Sequence, residues 1–396
     1  MSPRTAIVVG SGVFGATAAL ELRRRGMDVV LLERSSSIHP DASSTDVSKM
    51  VRMDYGSDVF YHELAEAALE GWDRWNRDWP EPAFHDEGFL VLAPGPMQAG
   101  GFEYESWRVL RERGYHPERL DAGAISERFP LWNAEHFPDG YLSRRGGWAP
   151  SGAVVQQLLR LCSAAGVQRL EGRATRLSMT GTRVTGVDLH PPDGRPISIT
   201  ADETVVCAGA WTPELVPEIA EIARAVAQPV LHFGVDPEAF RGPQFPPFAA
   251  DISGTGWYGF PAADYGFVKL GHHSDGSAVR PDEKGRVPDS HVQHARSFLR
   301  VALPALADAP VVGSRMCLYC DTFDGDLLVA RDPDREGITV ATGGSGHAFK
   351  FAPELGSIVA DVVLGQPNRW ARRFSWRDSG PTRAEEARHL STRADS

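Results

Sequence analysis

The chain opens on an unbroken apolar run, Ala6-Ile7-Val8-Val9, followed by Gly10-Ser11-Gly12-Val13-Phe14-Gly15 and an apolar-rich segment over residues 16–25. A short apolar run bounded by glycine predicts a buried strand, and the segment after it a helix. A second run, Asp28-Val29-Val30-Leu31-Leu32, ends on Glu33. Strand, helix and strand in this order predict a parallel sheet. Residues 59–79 carry Phe60, Leu64, Ala67, Ala68, Gly71, Trp72 and Trp75 at helical spacing. Further helices are predicted over 107–114, 121–130, 154–165 and 353–364. Strands are predicted over 89–93, 167–170, 204–207 and 338–342, with a hairpin pairing 173–179 against 183–189. Residues 35–48 are polar and serine-rich, without an apolar period, and predict a long loop of the kind usually retained for function.

Residues 212–315 read differently. They are rich in proline, aromatics and strand-like runs such as 231–235 and 266–271, which predicts a mostly antiparallel sheet. The expected fold class is therefore α/β (α+β in two domains). A discontinuous Rossmann-type domain is expected from residues 1–85, 147–215 and 315–375. A substrate domain is expected from 86–146 and 216–314, followed by a charged, proline-containing tail, 376–396, expected to be partly disordered.

The glycine turn carries the first candidate chemistry. Gly10 permits a tight turn, Gly12 lets backbone approach a pyrophosphate, and Gly15 lets helix pack on strand. The helix N-terminus offers N–H groups and a positive dipole end to phosphates. Glu33, about twenty residues on, can accept hydrogen bonds from a ribose diol. The expectation is a dinucleotide site.

Composition narrows the classes. Of 396 residues, 42% are hydrophobic and 23% charged, as in a globular protein, and the net charge of −11 argues against a nucleic-acid partner. No apolar run approaches the roughly twenty residues of a membrane span, and no signal peptide or targeting tripeptide is expected. Four cysteines are too few for a disulfide framework, so a reducing cytoplasm is the expected location.

The first strand unit, the run Cys207-Ala208-Gly209-Ala210-Trp211, and Ala341-Thr342-Gly343-Gly344 together resemble the D-amino-acid-oxidase-like FAD superfamily. The narrower resemblance is to its secondary-amine oxidases: the sarcosine, N-methyltryptophan, pipecolate, saccharopine and fructosyl amino acid oxidases. It rests on residues 49–55, on Tyr258-Gly259-Phe260-Pro261 through Lys269-Leu270-Gly271-His272-His273, on Met316-Cys317-Leu318-Tyr319, and on Gly344-Ser345-Gly346-His347-Ala348-Phe349-Lys350-Phe351. The resemblance implies that the dinucleotide is FAD, that the discontinuous domain is the FAD-binding one, and that the protein is a monomer or weak homo-oligomer.

It also implies roles. Cys317 matches the cysteine bound through sulfur to the flavin 8α carbon, with Cys320 as its rival. The Cys317/Cys320 pair has no second ligand pair to make a zinc site, and no metal is expected. Lys269 matches the lysine that activates dioxygen, where a fixed cation stabilises developing superoxide; the alternative is a solvated lysine on an edge strand. Arg52 and Lys350 match the pair that grips a substrate carboxylate, against a structural ion pair. Tyr258, Tyr319 and His273 match cavity residues, with core aromatics and a structural histidine as alternatives. Lys49 stands where the sarcosine branch has arginine and the fructosyl and saccharopine branch has lysine, which turns the expectation away from sarcosine itself. At the nucleotide end the implied contacts are Gly10, Gly12, Val13, Phe14, Gly15, Glu33, Arg34, Ser43, Ser44 and Thr45. Ala208, Gly209, Trp211, Gly344, Gly346 and His347 join them, with Lys49 and Lys350 near the flavin.

The resulting expectation is an oxidase of secondary amines or N-substituted amino acids: hydride passes to FAD, the imine hydrolyses, and dioxygen becomes hydrogen peroxide. A flavin-dependent dehydrogenase or tailoring enzyme on the same scaffold, an NAD(P)-dependent dehydrogenase and a non-catalytic FAD-binding protein are the rivals. The second of these shares the opening motif but leaves Cys317 and the final strand without a role.

Overall fold

The computed structural model describes residues 3–383 and 387–389. The chain divides into two compact units, Met1–Lys49 with Pro150–Val226 and Leu318–Ala384, and Met50–Ala149 with Ala227–Cys317 and Glu385–Ser396.

The first unit is built on a six-stranded sheet in the order Leu328–Arg331, Ile338–Thr342, Glu203–Val206, Thr5–Val9, Asp28–Glu33, Gln168–Glu171. All neighbours are parallel except the first pair. Val8 lies between Val205 and Leu31, so the apolar runs read from the sequence become the centre of the sheet. Thr5–Val9 feeds the helix Val13–Arg24, and the helices Ser151–Ala164 and Ala352–Leu364 pack against that helix. Such coverage is what makes continuous rather than alternating apolar strands. A three-stranded antiparallel sheet, Arg173–Thr180, Arg183–His190 and Ile197–Thr200, contributes Leu177, Val184, Val187 and Leu189 to the same core.

The second unit carries a nine-stranded mixed sheet. Ala223–Gly234, Phe267–His272, Trp257–Phe260, Phe248–Ala250, Phe89–Ala93, Asp139–Ser143 and Glu118–Asp121 are successive neighbours within it. Phe248–Ala250 and Phe89–Ala93 are parallel, while the other described neighbour pairs in this run are antiparallel. Its core is aromatic: Trp132, Phe137, Phe233, Phe245, Phe248 and Trp257 are all buried. Trp132 lies 6.0 Å from Phe245 in a stacked pair and 4.7 Å from Phe248 edge-on.

Three features depart from the sequence expectation. Residues 50–85, expected with the nucleotide domain, fall in the second unit. The helix Val59–Asp78 is tied there by Arg113, which pairs with Glu63 at 3.3 Å and also with Glu66, and by Ser106, whose hydroxyl accepts from Gly56 N at 2.7 Å. The helix Asp289–Ala302 lies in a region expected to be mostly strand; Ala295, Leu299 and Ala302 are buried on one face of it. The tail is largely placed where it is described. Trp376 packs on the first unit's core, Arg377 pairs with Asp324 at 2.6 and 2.7 Å, and Ala387 and Arg388 are buried. The rest of the expected disordered tail, residues 384–386 and 390–396, lies outside the described residues. Among the described residues no helix is long and apolar enough to cross a membrane.

Candidate active site

The first unit contains a cavity of about 430 Å³. Its lining comes from the carboxyl ends of neighbouring strands: Val9 and Gly10 after the first, Leu32 and Glu33 at the second, Cys207 and Ala208 after Glu203–Val206, and Thr342 and Gly344 at the last parallel strand. Gly172 to Thr175 follow the outer strand, Gln168–Glu171. The order in which strands join the sheet reverses between the parallel Thr5–Val9 and Glu203–Val206 strands, and ligands of open α/β sheets lie at such a switch point. Five strand ends at a spacing of ~4.8 Å span ~19 Å. Sheet order puts Glu33 and Gly172 toward one end of the cavity, the glycine turn in the middle, and Thr342 and Gly344 toward the other.

The glycine turn is required by close approach. Gly10 has φ +97°, and a Cβ there would lie 2.5 Å from the Cys207 carbonyl oxygen. A Cβ on Gly15 would lie 1.7 Å from the Gly10 carbonyl oxygen, so strand and helix meet only through bare backbone. Ser44 Oγ accepts from Val13 N at 3.0 Å, fastening the serine-rich loop to the first turn of the helix. Ser43 donates to the Leu318 carbonyl. Glu33 is buried and accepts from Ser11 N at 3.0 Å, Ser11 Oγ at 2.8 Å and Arg34 N at 2.7 Å. Each carboxylate oxygen accepts more than one hydrogen bond, so these contacts orient Glu33 and leave it able to receive a ribose diol.

Arg34 stacks on Trp211 with its guanidinium carbon 4.5 Å from the ring centroid, and His39 meets the same ring edge-on at 5.2 Å. Lys49 lines the cavity with Nζ 3.3 Å from Asp46. Tyr319 lies against Gly346, where a Cβ would come within 2.4 Å of the ring; φ at Gly346 is +77°. Cys320 lines the cavity beside Thr342, whose hydroxyl is 3.2 Å from its Sγ, and burial pushes its thiol up to about 11. The cradle of bare glycine backbone, a helix N-terminus, a buried acidic residue and a cavity of this span fit an extended dinucleotide such as FAD.

The remaining expected residues fall into three groups. Gly15 supports the turn from behind, the Thr45 hydroxyl lies within hydrogen-bond reach of the His39, Pro40 and Ala42 carbonyls of its own loop, and none of Gly15, Thr45, His347 and Lys350 is among the cavity-lining residues. His347 Nε2 contacts the Gly325 carbonyl at 2.9 Å, and the buried Lys350 donates to the His347 carbonyl at 2.9 Å, 5.5 Å from the Phe351 ring centroid. In the second unit lie Arg52, Tyr258, Lys269, His273 and Cys317.

Lys269 is 2% exposed on an inner strand, paired on one side with His232 and on the other with Phe260, which excludes the edge-strand alternative. Its Nζ sits 4.5 Å above the Phe260 ring. Arg52 is buried among Tyr55, Phe89 and Phe102, with ring centroids 5.0, 5.9 and 5.7 Å from its guanidinium carbon. Nearby in the chain, Asp54 is fully buried and accepts from Tyr141 Oη at 2.5 Å; burial and the Asp54 charge hold that phenol well above its usual range. Tyr258 lies over the Gly271 backbone, and its ring meets that of His273 edge-on at 6.4 Å. Cys317 is 2% exposed.

Sequence reading missed His39, Ala42, Gly172–Thr175, Glu214 and Leu215 as cavity walls. His39 could have been found from its place in the long loop. Gly172 to Thr175 carry no motif; only the sheet order brings them to the cavity.

The sequence matches the family described as DAO, FAD dependent oxidoreductase, over residues 5–362. It is 30% identical over 368 residues to the N-methyl-L-tryptophan oxidase of Salmonella heidelberg, covering 91% of this chain and 94% of that one. The fold is that of fructosamine oxidase (Amadoriase II) of Aspergillus fumigatus, with a TM-score of 0.83 at 24% identity over 99% and 94% of the two chains. Amadoriase I of the same organism gives 0.80 at 22% identity, over 99% of this chain and 94% of that one.

Proposed function

The chain belongs to the DAO family of FAD-dependent oxidoreductases, and from that premise we propose that it oxidises the C–N bond of an N-substituted amino acid with dioxygen as acceptor. The observation that carries this reading is the 30% identity to an N-methyl-L-tryptophan oxidase over 91% of the chain. A fructosamine oxidase sharing the fold, also an oxidase of an N-substituted amine by its name, supports the same substrate class.

Bound FAD supplies the hydride acceptor and the path of electrons to dioxygen. The chain's own residues do the rest. Gly10, Gly12, the first turn of Val13–Arg24 and Ser44 hold the pyrophosphate, Glu33 takes the adenosine ribose, and Arg34 with Trp211 walls the adenine end. Arg52 offers a planar fork to the substrate carboxylate, and Lys350 adds a second cation. Lys269, fixed on an inner strand, stabilises negative charge developing on dioxygen. Tyr258, Tyr319 and His273 border the amine. A site with cations and apolar walls lowers the ammonium pKa, and the neutral amine is the form whose lone pair drives hydride loss.

Cys317 carries the flavin through sulfur in this reading. The thiolate is the reactive form, and burial pushes the thiol of Cys320 up to about 11, so little of it is thiolate at neutral pH. The activity is tested by peroxide release over N-methyl-L-tryptophan, sarcosine, pipecolate, proline, saccharopine and fructosyl amino acids, with primary amino acids as controls. Peroxide with at least one N-substituted member is expected. Activity confined to primary amino acids, or none at all, would overturn the substrate class.

A further inference from the structure

Three imidazoles converge in the second unit, and none of them has been given a role above. His272 ends the Phe267–His272 strand, and His291 and His294 stand one turn apart on the Asp289–Ala302 helix. One ring nitrogen from each lies within 4.8 Å of the other two. The ring centroids are 5.7 Å apart for His272 and His291, and 5.3 Å apart for His272 and His294.

Two details distinguish this cluster from neighbouring core histidines. His272 Nε2 lies 2.8 Å from the Thr255 carbonyl oxygen, so that nitrogen carries the proton and Nδ1 keeps its lone pair. An outer carbonyl holding one ring nitrogen while the other faces a metal is the usual arrangement around histidine ligands. The cluster is also backed by Trp257, 1% exposed, with its ring 4.7 Å from His272 and 5.2 Å from His294, and stacked on Phe298 at 4.9 Å. That wall holds the imidazoles in place without offering a competing acceptor.

We propose that His272, His291 and His294 bind a divalent transition metal of the zinc class, clipping the strand that carries Lys269 to the Asp289–Ala302 helix. Three nitrogen donors suit zinc, copper, nickel or cobalt and disfavour magnesium and calcium, which take oxygen ligands. Donors around a tetrahedral ion with bonds of ~2.0–2.1 Å stand ~3.4 Å apart. The ring nitrogens, now within 4.8 Å of one another, draw closer when the ion binds. The fourth position falls to water, as in three-histidine sites generally. The sequence carried half of the signal, His291-Val292-Gln293-His294, but nothing in it brought His272 to the same place.

The test is zinc binding to the full-length, untagged, flavin-loaded protein by equilibrium dialysis with elemental analysis, and by titration calorimetry. The expected result is one zinc per chain with a micromolar or tighter Kd, weakened at least tenfold by His294→Gln and by His291→Gln. His294 is exposed, so His294→Gln should keep its flavin and its melting temperature in chelator, separating ligand loss from unfolding. X-ray absorption on the zinc-loaded protein should show imidazole nitrogens at metal-ligand distance. Failure of the wild-type protein to bind stoichiometric zinc, or binding by the two variants as tight as that of the wild type, would overturn the proposal. Neither outcome depends on the enzyme's substrate.

Discussion

Lys269 and the cysteine pair are where single side chains decide most. Lys269 holds its ammonium in a strand interior over the Phe260 ring, where burying a cation is costly, and its proposed role is to face a charge developing on dioxygen. Replacing it by methionine should slow reoxidation of the reduced flavin by dioxygen by about 10²-fold, the usual cost of removing one positioned charge. Anaerobic reduction by substrate should change much less, and stopped-flow traces of the two half-reactions separate them. Equal loss in both would assign Lys269 to the substrate instead. For the cysteines, Cys317→Ser should release all flavin on acid precipitation, while Cys320→Ser should retain it in the pellet; intact mass gives the same answer. The reverse pattern would move the linkage to Cys320, which already lines the cavity.

Two elements bear on the cofactor turn and on Arg52. The turn from Gly10 to Gly15 brings strand and helix so close that Gly15→Ala has no room, its Cβ falling 1.7 Å from the Gly10 carbonyl oxygen. That variant should lose FAD, read as the ratio of flavin to protein absorbance in the purified protein. The Val59–Asp78 helix stands behind Arg52: Tyr61 stacks on Tyr55 at 4.9 Å, and His62 Nε2 donates to the Gly56 carbonyl at 3.1 Å. Burial lowers His62 to about 4, with the Arg52 charge adding to it. The unfolded chain therefore binds a proton here below about pH 6.5 that the folded chain refuses until about pH 4. Stability is present above the unfolded value and is lost as pH falls through that window, by on the order of 3 kcal/mol. Urea unfolding at pH 7 and at pH 4.5 should show the loss, and His62→Gln should make it smaller; an unchanged difference would remove His62 from the account. Elements of this kind were legible where local pattern and packing agree. The opening strand, turn and helix and the final strand were readable because apolar runs bounded by glycine belong to parallel strands. The Asp289–Ala302 helix was not, because its apolar face is narrow and sits among prolines and histidines.

At the scale of the whole molecule, the family and the nucleotide motif were legible because the motifs recur in order along most of the chain. The allocation of residues 50–85 was not legible, since the contacts that place them, Arg113 with Glu63 and Glu66, come from a different helix. The walls at Gly172 to Thr175 depend likewise on sheet order rather than on any local signal. The fold provides one unit with a cavity across five strand ends, and a second unit in which Lys269 and Arg52 are buried among aromatic rings. The central claim is that these parts make an oxidase of an N-substituted amino acid. It is tested most directly by mixing the oxidised holoenzyme anaerobically with N-methyl-L-tryptophan and the other N-substituted amino acids, then admitting oxygen. The account predicts that at least one of them bleaches the flavin absorbance, and that oxygen restores it with one hydrogen peroxide per flavin. A flavin that stays oxidised with every N-substituted amino acid, or one that is bleached but returns without peroxide, would contradict it.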